Sequence, residues 1–311
     1  MNLILEIWGE NIQLALGEIK GILEGEGLKY EIVEMDYPLV IVDTDDYTPL
    51  IRAGLLRRIS KHIYSGKDLP ELDMELQEYA IRVRRKEKNI GPMDIEKLLA
   101  KRIKGKVNLS HPKNILRVYV GEKIHIGIEI YDFSQNNYEA RRAKNLPISY
   151  PVTMHPRLAR AMVNLARIPT GARILDPFCG TGIILIEAGL IGMRIYGSDI
   201  DERMLNASRL NLQKFGLSAK LEMKDVGEIS GRYDAIVTDP PYGRSSSTRG
   251  EEIYALYERS FKAFSKVAKK VVISLPDERA IRIGEKHFTL MEVYPIRVHR
   301  SLTRYFSYFH I

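Results

Sequence analysis

The chain of 311 residues has a formal net charge of +7 at pH 7, from 47 Lys and Arg against 40 Asp and Glu, and 45% of its residues are hydrophobic. This length exceeds the usual size of one compact unit, so we expect two or three domains. Its apolar stretches fall short of the roughly 20 residues of a membrane-spanning helix, and its N-terminus lacks a signal-peptide pattern, so we expect no membrane association and a cytoplasmic location. Cys179 is the only cysteine, which excludes an internal disulfide, and the seven histidines lack ligand spacing, so we expect no metal.

The N-terminal half alternates segments with strand and helix patterning, which indicates an α/β fold. Helix-like spacing of apolar residues occurs at 11–23 and 94–103. Strand-like runs occur at 3–8, 28–34, 39–43, 76–84, 115–120 and 124–131. A further helix is predicted to begin at Thr48-Pro49, because Thr is a common N-cap and Pro is favoured in the first turn.

Positive charge is concentrated in the middle of the chain. Residues 1–50 hold 2 Lys and Arg against 11 Asp and Glu, residues 51–150 hold 21 against 12, and residues 151–311 hold 24 against 17. The cations cluster on a predicted strand end and the helix that follows it: Arg82, Arg84, Arg85, Lys86, Lys88, Lys97, Lys101 and Arg102. Because cations on adjacent elements release the counterions of a polyanion, the cluster indicates RNA binding. On charge alone, a solvated lysine-rich surface explains it equally well.

Residues 134–152 are polar and contain prolines, which is typical of a linker. Arg141 and Arg142 lie in this segment and are further candidates for RNA contact. A helix opened by Pro156 is predicted to follow. His155, which directly precedes that proline, is interpreted as a helix cap rather than an acid or base.

A glycine-rich loop opens the C-terminal half. The motif Asp176-Pro-Phe-Cys-Gly180-Thr-Gly182 lies between a predicted strand at 172–175 and an apolar run at 183–186. Its glycines allow close backbone approach by a ligand, and the helix beyond offers free N–H groups, which suits a nucleotide-like cofactor. The dinucleotide fingerprint would need glycine at 185, where Leu stands. An acid before the glycines suits a cofactor with a cationic amino-acid tail and no phosphate, which describes S-adenosylmethionine.

A second predicted strand, 194–199, ends in a carboxylate at Asp199. An α/β nucleotide-binding fold needs an acceptor for the ribose hydroxyls at about this point. Asp199 is the first candidate for that role, and Asp201 is the second.

The motif Asp239-Pro240-Pro241-Tyr242 follows the apolar run 235–237. Proline fixes φ and lacks an N–H, so the turn presents acceptors to a ligand. Accepting both N–H groups of an exocyclic amine with the Asp239 carboxylate and the Pro240 carbonyl would make that nitrogen more reactive. Tyr242 is predicted to stack on the base. The motif therefore indicates chemistry on the amine of a planar base.

The C-terminal segments predict a strand at 271–275 and a hairpin of 293–299 with 304–310. The polar loop 243–250 is predicted to close over the target base. Four aromatic residues of the last strand suggest a base-stacking platform, although strand alternation favours core packing for at least half of them: Tyr305, Phe306, Tyr308 and Phe309.

In this order, the motifs of residues 150–311 resemble the class I S-adenosylmethionine-dependent methyltransferases, and among them the amino-methyltransferases with an Asp/Asn-Pro-Pro-Tyr/Phe motif. The resemblance implies a Rossmann-like, seven-stranded sheet with a terminal antiparallel hairpin. It implies that the turn from Asp239 to Tyr242 holds the target base and that Asp225 meets the adenine amine. The cofactor contacts it implies are Thr153, His155, Asp176, Phe178, Gly180, Thr181, Gly182, Asp199, Ile200, Asp225, Val226 and Asp239.

The N-terminal half is similar in architecture to a THUMP RNA-binding domain preceded by a small ferredoxin-like domain. We therefore expect a ferredoxin-like domain at 1–50, a THUMP domain at 51–133, a linker at 134–152 and a methyltransferase domain at 153–311. The whole arrangement most closely resembles the archaeal tRNA guanosine-10 N2-methyltransferases. That resemblance implies a tRNA partner, direct in-line transfer of one or two methyl groups, and, we expect, a monomer.

Four other functions stay open on the sequence. Asp at 239 is compatible with guanine N2 and with adenine N6, so methylation of guanine N2 in rRNA or of adenine N6 in DNA remains possible. A glutamine-amide methyltransferase also uses a Pro-Pro-Tyr turn, usually with Asn at the first position. A non-catalytic RNA-binding protein is a rival of another class, and it predicts no cofactor binding.

Overall fold

The computed structural model describes residues 1–9, 11–85, 92–150, 153–242, 252–299 and 302–311. The predicted RNA contacts Lys86 and Lys88 and the predicted lid at 243–250 lie outside these ranges. No helix within these ranges is long and apolar enough to cross a membrane.

The N-terminal part alternates strands and helices. Its elements are β1 Asn2–Ile7, α1 Ile12–Gly25, β2 Tyr30–Asp36, β3 Leu39–Thr44, β4 Leu56–Gly66, β5 Met74–Glu75, β6 Tyr79–Arg85, α2 Pro92–Ala100, β7 Ile103–Lys104, β8 Asn114–Val120 and β9 Ile124–Asp132. Short 3-10 helices at Phe133–Asn136, Tyr138–Arg141 and Ala143–Asn145 occupy much of the predicted linker.

The C-terminal part continues with α3 Pro156–Leu165, β10 Arg173–Asp176, α4 Ile183–Gly189, β11 Arg194–Asp199, α5 Glu202–Lys214, β12 Lys220–Met223, β13 Ala235–Thr238, α6 Ile253–Val267, β14 Lys270–Leu275, α7 Glu278–Glu285, β15 Thr289–His299 and β16 Leu302–His310. The strands predicted around the glycine loop, Asp199 and the proline turn all form.

The chain forms two compact units. The first comprises 1–12, 28–51 and 56–136, and the second comprises 13–27, 52–55 and 137–311. Strands of the first unit pair in a seven-stranded sheet of order β2-β3-β1-β4-β9-β8-β6. Strands from both sides of the predicted boundary at residue 50 pair in this one sheet, so residues 1–50 do not form a sheet of their own.

The sheet of the second unit has the order β12-β11-β10-β13-β14-β16-β15. Its first five strands are parallel, and β16 and β15 complete it as an antiparallel hairpin. The order reverses at β10, where the chain first runs outward to β12 and then returns to β13. The carboxyl ends of strands at such a reversal form a crevice, which is where ligands of open α/β sheets bind.

The hairpin aromatics belong to the core of the second unit. Phe306 and Phe309 are fully buried and Tyr308 is nearly so. Phe309 packs edge-on against Phe261 of α6, with ring centroids 5.3 Å apart. Burial of these three residues confirms the preference for core packing, and of the four aromatic residues only Tyr305 is partly exposed.

Helix α1 belongs to the second unit, although β1 and β2 on either side of it belong to the first. A Cβ at Gly21 would lie 2.3 Å from the carbonyl oxygen of Asn164 in α3, so the two helices approach as closely as glycine allows. Glu18 is buried beside this contact and accepts hydrogen bonds from the Gly54 and Leu55 backbone and from Asn164. The unit that carries the glycine loop therefore includes N-terminal segments.

Two N-terminal predictions need correction. The helix expected from Thr48 is a 3-10 helix of five residues, Thr48–Arg52, and its first N–H is capped by Asp46 at 2.8 Å. The eleven-residue strand β4 was not predicted. Register shifts against β9 after Ile59 and His62 interrupt the period-two alternation by which a strand is recognised in sequence.

Candidate active site

Asp176 ends β10 inside the protein, with 1% of its surface exposed. Its Oδ1 accepts hydrogen bonds from Thr238 Oγ1 at 2.6 Å and from the Phe178 N–H at 3.2 Å. Burial raises the pKa of Asp176 to about 7, and the nearby carboxylates of Asp239 and Asp199 add to the rise. Among the described residues no Lys, Arg or His forms an ion pair with it. A cationic ligand group would supply the missing counter-charge.

The two glycines of the loop serve different purposes. Both adopt left-handed backbone angles, with φ of +49° at Gly180 and +86° at Gly182. A Cβ at Gly182 would lie 2.4 Å from Ser208 Oγ in α5, so this glycine permits packing within the protein. A Cβ at Gly180 would meet only the Phe178 carbonyl oxygen, at 4.0 Å. Gly180 is therefore the glycine whose open side suits a ligand.

Asp199 holds the loop against the end of β11. Its Oδ2 accepts from the Gly180 N–H at 3.0 Å and its Oδ1 from the Asp201 N–H at 2.9 Å. Burial raises the pKa of this carboxyl group as well. Asp201 instead caps α5 by accepting from the Arg203 N–H at 2.9 Å, so Asp199 remains the better candidate for a ribose.

Asp225 follows β12 and begins a one-turn 3-10 helix, where it accepts from the Gly227 N–H at 2.8 Å. Both of its oxygens also accept from the Arg259 guanidinium of α6. Burial opposes ionisation, but the Arg259 and Gly227 hydrogen bonds outweigh it and lower the pKa of Asp225. The side chain thus has structural partners, and the buried Val226 beside it packs in the core.

The proline turn follows β13. The Pro241 carbonyl accepts a hydrogen bond from the Tyr257 hydroxyl of α6 at 2.8 Å. The carbonyl that was predicted to bind the target base is the other one, that of Pro240. Asp239 is held from two sides: its Oδ2 is 3.0 Å from Arg304 Nη1, and its Oδ1 accepts from the Tyr242 hydroxyl. Burial raises the pKa of Asp239, while Arg304 and Tyr242 oppose that rise.

The structure therefore brings three predicted carboxylates to adjacent strand ends: Asp199 on β11, Asp176 on β10 and Asp239 after β13. They are close enough for Asp199 and Asp239 both to influence the pKa of Asp176. Asp239 has Arg304 as its counter-charge, whereas Asp176 and Asp199 form no ion pair with a described residue, so a cationic ligand would relieve the repulsion between these two.

Thr153 and His155 precede α3. The Thr153 hydroxyl donates to the Tyr150 carbonyl at 2.8 Å. His155 is the N-cap of α3 and accepts from the Arg157 N–H through Nδ1 at 3.2 Å, which confirms the interpretation as a cap. Burial and the neighbouring arginines lower the pKa of His155.

The predicted RNA contacts have unequal surroundings. Arg82 donates to the Leu109 carbonyl at 2.9 Å, Arg102 to the Pro70 carbonyl at 2.5 Å, and Arg84 pairs with the buried Glu6. Lys97 and Lys101 are exposed on and just after α2.

The two linker arginines differ from each other. Arg142 is exposed and pairs with Glu139. Arg141 is 6% exposed, and its Nε lies 2.5 Å from Glu187 Oε1, which is itself buried. The prediction that Arg141 contacts RNA is therefore wrong for this structure, because its charge is satisfied inside the second unit.

Several residues that shape the site were missed in the sequence. The only sequence signal for Thr238 is its position directly before the proline turn. Arg304, Arg259 and Tyr257 reach the site from β16 and α6, and nothing in their local sequence marks them. Their roles depend on tertiary contacts.

Comparison with known proteins agrees with this geometry. Residues 144–305 match the RMKL-like methyltransferase domain. The chain is 32% identical to the tRNA (guanine(10)-N2)-dimethyltransferase of Methanothermobacter thermautotrophicus, over 98% of both chains. It is 35% identical to the protein of the same name from Pyrococcus abyssi, over 97% of both.

Solved structures show the same fold at low sequence identity. The crystal structure of TrmN from Thermus thermophilus superposes with a TM-score of 0.54 at 18% identity, and all of both chains is covered. A putative methyltransferase, SMU.472, crystallised with SAH, superposes with a TM-score of 0.54 at 14% identity, covering 98% of this chain and 97% of the other. The fold is the α/β fold of class I methyltransferases.

Proposed function

The chain belongs to the RMKL-like methyltransferase family, together with the archaeal tRNA (guanine(10)-N2)-dimethyltransferases, and from this premise we propose that it methylates N2 of guanosine 10 in tRNA once and then again. It is an S-adenosylmethionine-dependent methyltransferase acting on the N2 of guanosine in tRNA. The observation that carries the proposal is the position of Asp239 beside two further carboxylates, Asp176 and Asp199, at the reversal of the sheet.

The crevice fits S-adenosylmethionine on two observations. Asp176 is a buried carboxylate without a cationic partner among the described residues, and the cofactor carries a sulfonium and an ammonium. Gly180 is open where any Cβ would project, beside Asp199, whose carboxylate suits ribose hydroxyls. We infer that Asp176, the Phe178–Gly182 loop and Asp199 hold the cofactor, with Ile200 and Val226 flanking the adenine.

The bound cofactor supplies a methyl carbon that accepts the nitrogen lone pair as the C–S bonding electrons pass to sulfur. The residues of the chain orient the nucleophile. Asp239 and the Pro240 carbonyl accept the two N–H groups of the guanine amine, and Tyr242 stacks on the ring. The Asp239 carboxylate stands where the proton lost from nitrogen must go. No covalent enzyme intermediate is needed, because positioning makes the displacement effectively unimolecular.

We propose that the first unit is the RNA-binding region, with THUMP and ferredoxin-like parts. Its support is the similarity of the whole chain to tRNA-modifying relatives and the two exposed lysines on and just after α2, Lys97 and Lys101. On this proposal the first unit anchors tRNA, and its binding energy offsets the few kcal/mol that extrusion of a paired base costs. A tRNA substrate would place the protein in the cytoplasm, where we propose that it acts as a metal-independent monomer.

The proposal is tested by methyl transfer from radiolabelled S-adenosylmethionine to an unmodified tRNA transcript, followed by digestion to nucleosides. We expect N2-methylguanosine first and N2,N2-dimethylguanosine later, and neither from a transcript with adenosine at position 10. Asp239→Ala should lower the rate by at least about 100-fold, whereas Asp45→Ala, at an exposed aspartate, should not. Methyl incorporation into any other nucleoside would overturn the proposed substrate.

A further inference from the structure

Arg304 is a buried cation that contacts the proline turn. It lies on β16, is 8% exposed, and places Nη1 3.0 Å from Asp239 Oδ2. Its guanidinium carbon is 5.2 Å from the centre of the Tyr242 ring. One side chain thus touches both residues to which the target base is assigned.

The remaining contacts complete a frame around the carboxylate. The Tyr242 hydroxyl donates to Asp239 Oδ1 and lies 2.5 Å from Ser274 Oγ on β14. Ser274 is also a hydrogen-bond partner of Asp239 itself and helps to oppose the rise in the pKa of that carboxyl group. Asp239 is therefore held at Oδ2 by Arg304 of β16, and at its other side by Tyr242 and by Ser274 of the neighbouring strand β14.

We propose that Arg304 is a positioning residue for methyl transfer, which keeps Asp239 ionised and fixes its carboxylate and the Tyr242 ring in the orientation that receives the guanine amine. The inference rests on the proposed function and adds to it a residue 65 positions away from the catalytic turn.

The charge of Arg304 favours the ionised form of Asp239. A protonated Asp239 would present an O–H donor to an amine that offers donors of its own, so the site needs the carboxylate. Burial favours the protonated form, and Arg304 is the largest influence against it. The other titratable groups facing Asp239 among the described residues are Asp176, Tyr242 and Tyr257. None of these is a cation, so within the part of the chain that the structure describes Arg304 supplies the positive charge beside Asp239.

The two carboxylate oxygens of Asp239 have two acceptor sites each, so the contacts with Arg304, Tyr242 and Ser274 leave room for one amine hydrogen. A guanidinium beside an aromatic ring also restrains the plane of that ring. Lysine would preserve the charge but not the planar contact, so the two contributions can be separated by substitution.

The test is the pH profile of kcat for the wild type, Arg304→Gln and Arg304→Lys, at saturating cofactor and tRNA. In Arg304→Gln we expect the acid limb to move up by about one pH unit or more, and kcat at pH 7 to fall about 10- to 100-fold. Arg304→Lys should keep the acid limb within about half a unit of wild type but lower kcat. Arg297→Gln removes an exposed arginine from the same hairpin and should match the wild type.

A fall in kcat by one constant factor at every pH, with cofactor affinity retained, would overturn the proposal, because an ion pair that only joins two strands predicts no shift. The cofactor is kept saturating because burial raises the pKa of Asp176 to about 7, and on the proposed function its ionisation alters cofactor binding.

A second measurement does not depend on activity. Thermal unfolding of wild type, Asp239→Asn, Arg304→Lys and the double variant should show that Arg304→Lys costs stability only while Asp239 is present. Additive effects of the two substitutions would overturn the inference. If the wild type methylates no guanosine, the proposed function fails, while this cycle still decides whether Arg304 and Asp239 act together.

Discussion

Asp176 is a carboxyl group whose protonation state depends on what occupies the crevice. In the free protein, burial and the neighbouring carboxylates raise its pKa to about 7. A cation beside it would lower that pKa, so binding of a cationic ligand must release a proton at pH values below about 7. The residue thus links cofactor binding to pH.

Cofactor affinity should therefore rise with pH, by up to about tenfold per unit between pH 5.5 and 7. Isothermal titration calorimetry in buffers of different ionisation enthalpy should detect release of a proton at pH 6. Asp176→Asn should bind more weakly and release none, while Asp45→Asn should behave as wild type. Proton uptake, or an affinity independent of pH, would contradict this account.

The same residue should destabilise the ligand-free protein at high pH. Its folded pKa of about 7 lies above its ordinary value of 3.8, so the native state binds more protons between these values. Its contribution to stability is most favourable below pH 4 and declines as pH rises to 7. At pH 8, Asp176→Asn should raise the free energy of unfolding by about 1–3 kcal/mol. Chemical denaturation at pH 4 and 8 checks this, and an equal effect at both would refute it.

At the level of elements, the loop between β10 and α4 contains two glycines with similar backbone angles and different surroundings. Gly180 and Gly182 both have positive φ, but only Gly182 contacts another side chain closely, at Ser208. Two glycines of one loop therefore meet different requirements: Gly182 permits close packing against Ser208, and Gly180 leaves space for a ligand.

The two alanine variants should consequently differ. Gly182→Ala should lower the free energy of unfolding by about 2–4 kcal/mol, because it adds a clash with Ser208 to the cost of a left-handed alanine. Gly180→Ala should lower it by only about 1–2 kcal/mol but weaken cofactor binding at least tenfold. Thermal unfolding and titration calorimetry on both proteins make the comparison. Equal losses of stability in the two variants would contradict the difference in free space around Gly180 and Gly182.

Prediction from sequence succeeded where signals are local and failed where they are not. The glycine loop and the proline turn each combine a strand, a turn and an acid within a few residues, so their places at the sheet were predictable. Strand β4 was missed because its register shifts break the alternation. Arg304 was missed because its contact with Asp239 depends on how β16 pairs with β14.

At the level of the whole molecule, the catalytic unit is built from three separate stretches of chain. Residues 13–27 and 52–55 join 137–311 in it, and Glu18 connects all three by accepting from Gly54, Leu55 and Asn164. A fragment of residues 153–311 would lack two of those stretches. We therefore expect that fragment to be unstable when produced alone.

Glu18→Ala should lower the free energy of unfolding by about 3 kcal/mol, because it leaves the buried Gly54 and Leu55 N–H groups without an acceptor and removes one of the two acceptors of the Asn164 amide. Glu18→Gln keeps one acceptor oxygen and should lose less. Glu31→Ala, at an exposed position, should lie within about 0.5 kcal/mol of the wild type. Denaturant unfolding measures all three, and a Glu18→Ala protein as stable as the Glu31→Ala control would remove this residue from the framework.

The position of α1 also has a consequence for synthesis on the ribosome. This helix leaves the exit tunnel more than 100 residues before its partner α3, at Pro156–Leu165, has been translated. At 5–20 residues per second, that delay is on the order of 10 s. Throughout it, the side of α1 that carries Gly17 and Gly21, which lies against Leu165 and Asn164 in the finished protein, has no partner from α3 to cover it. The nascent chain should therefore depend on chaperones until the C-terminal half emerges, and slower translation should lengthen that dependence.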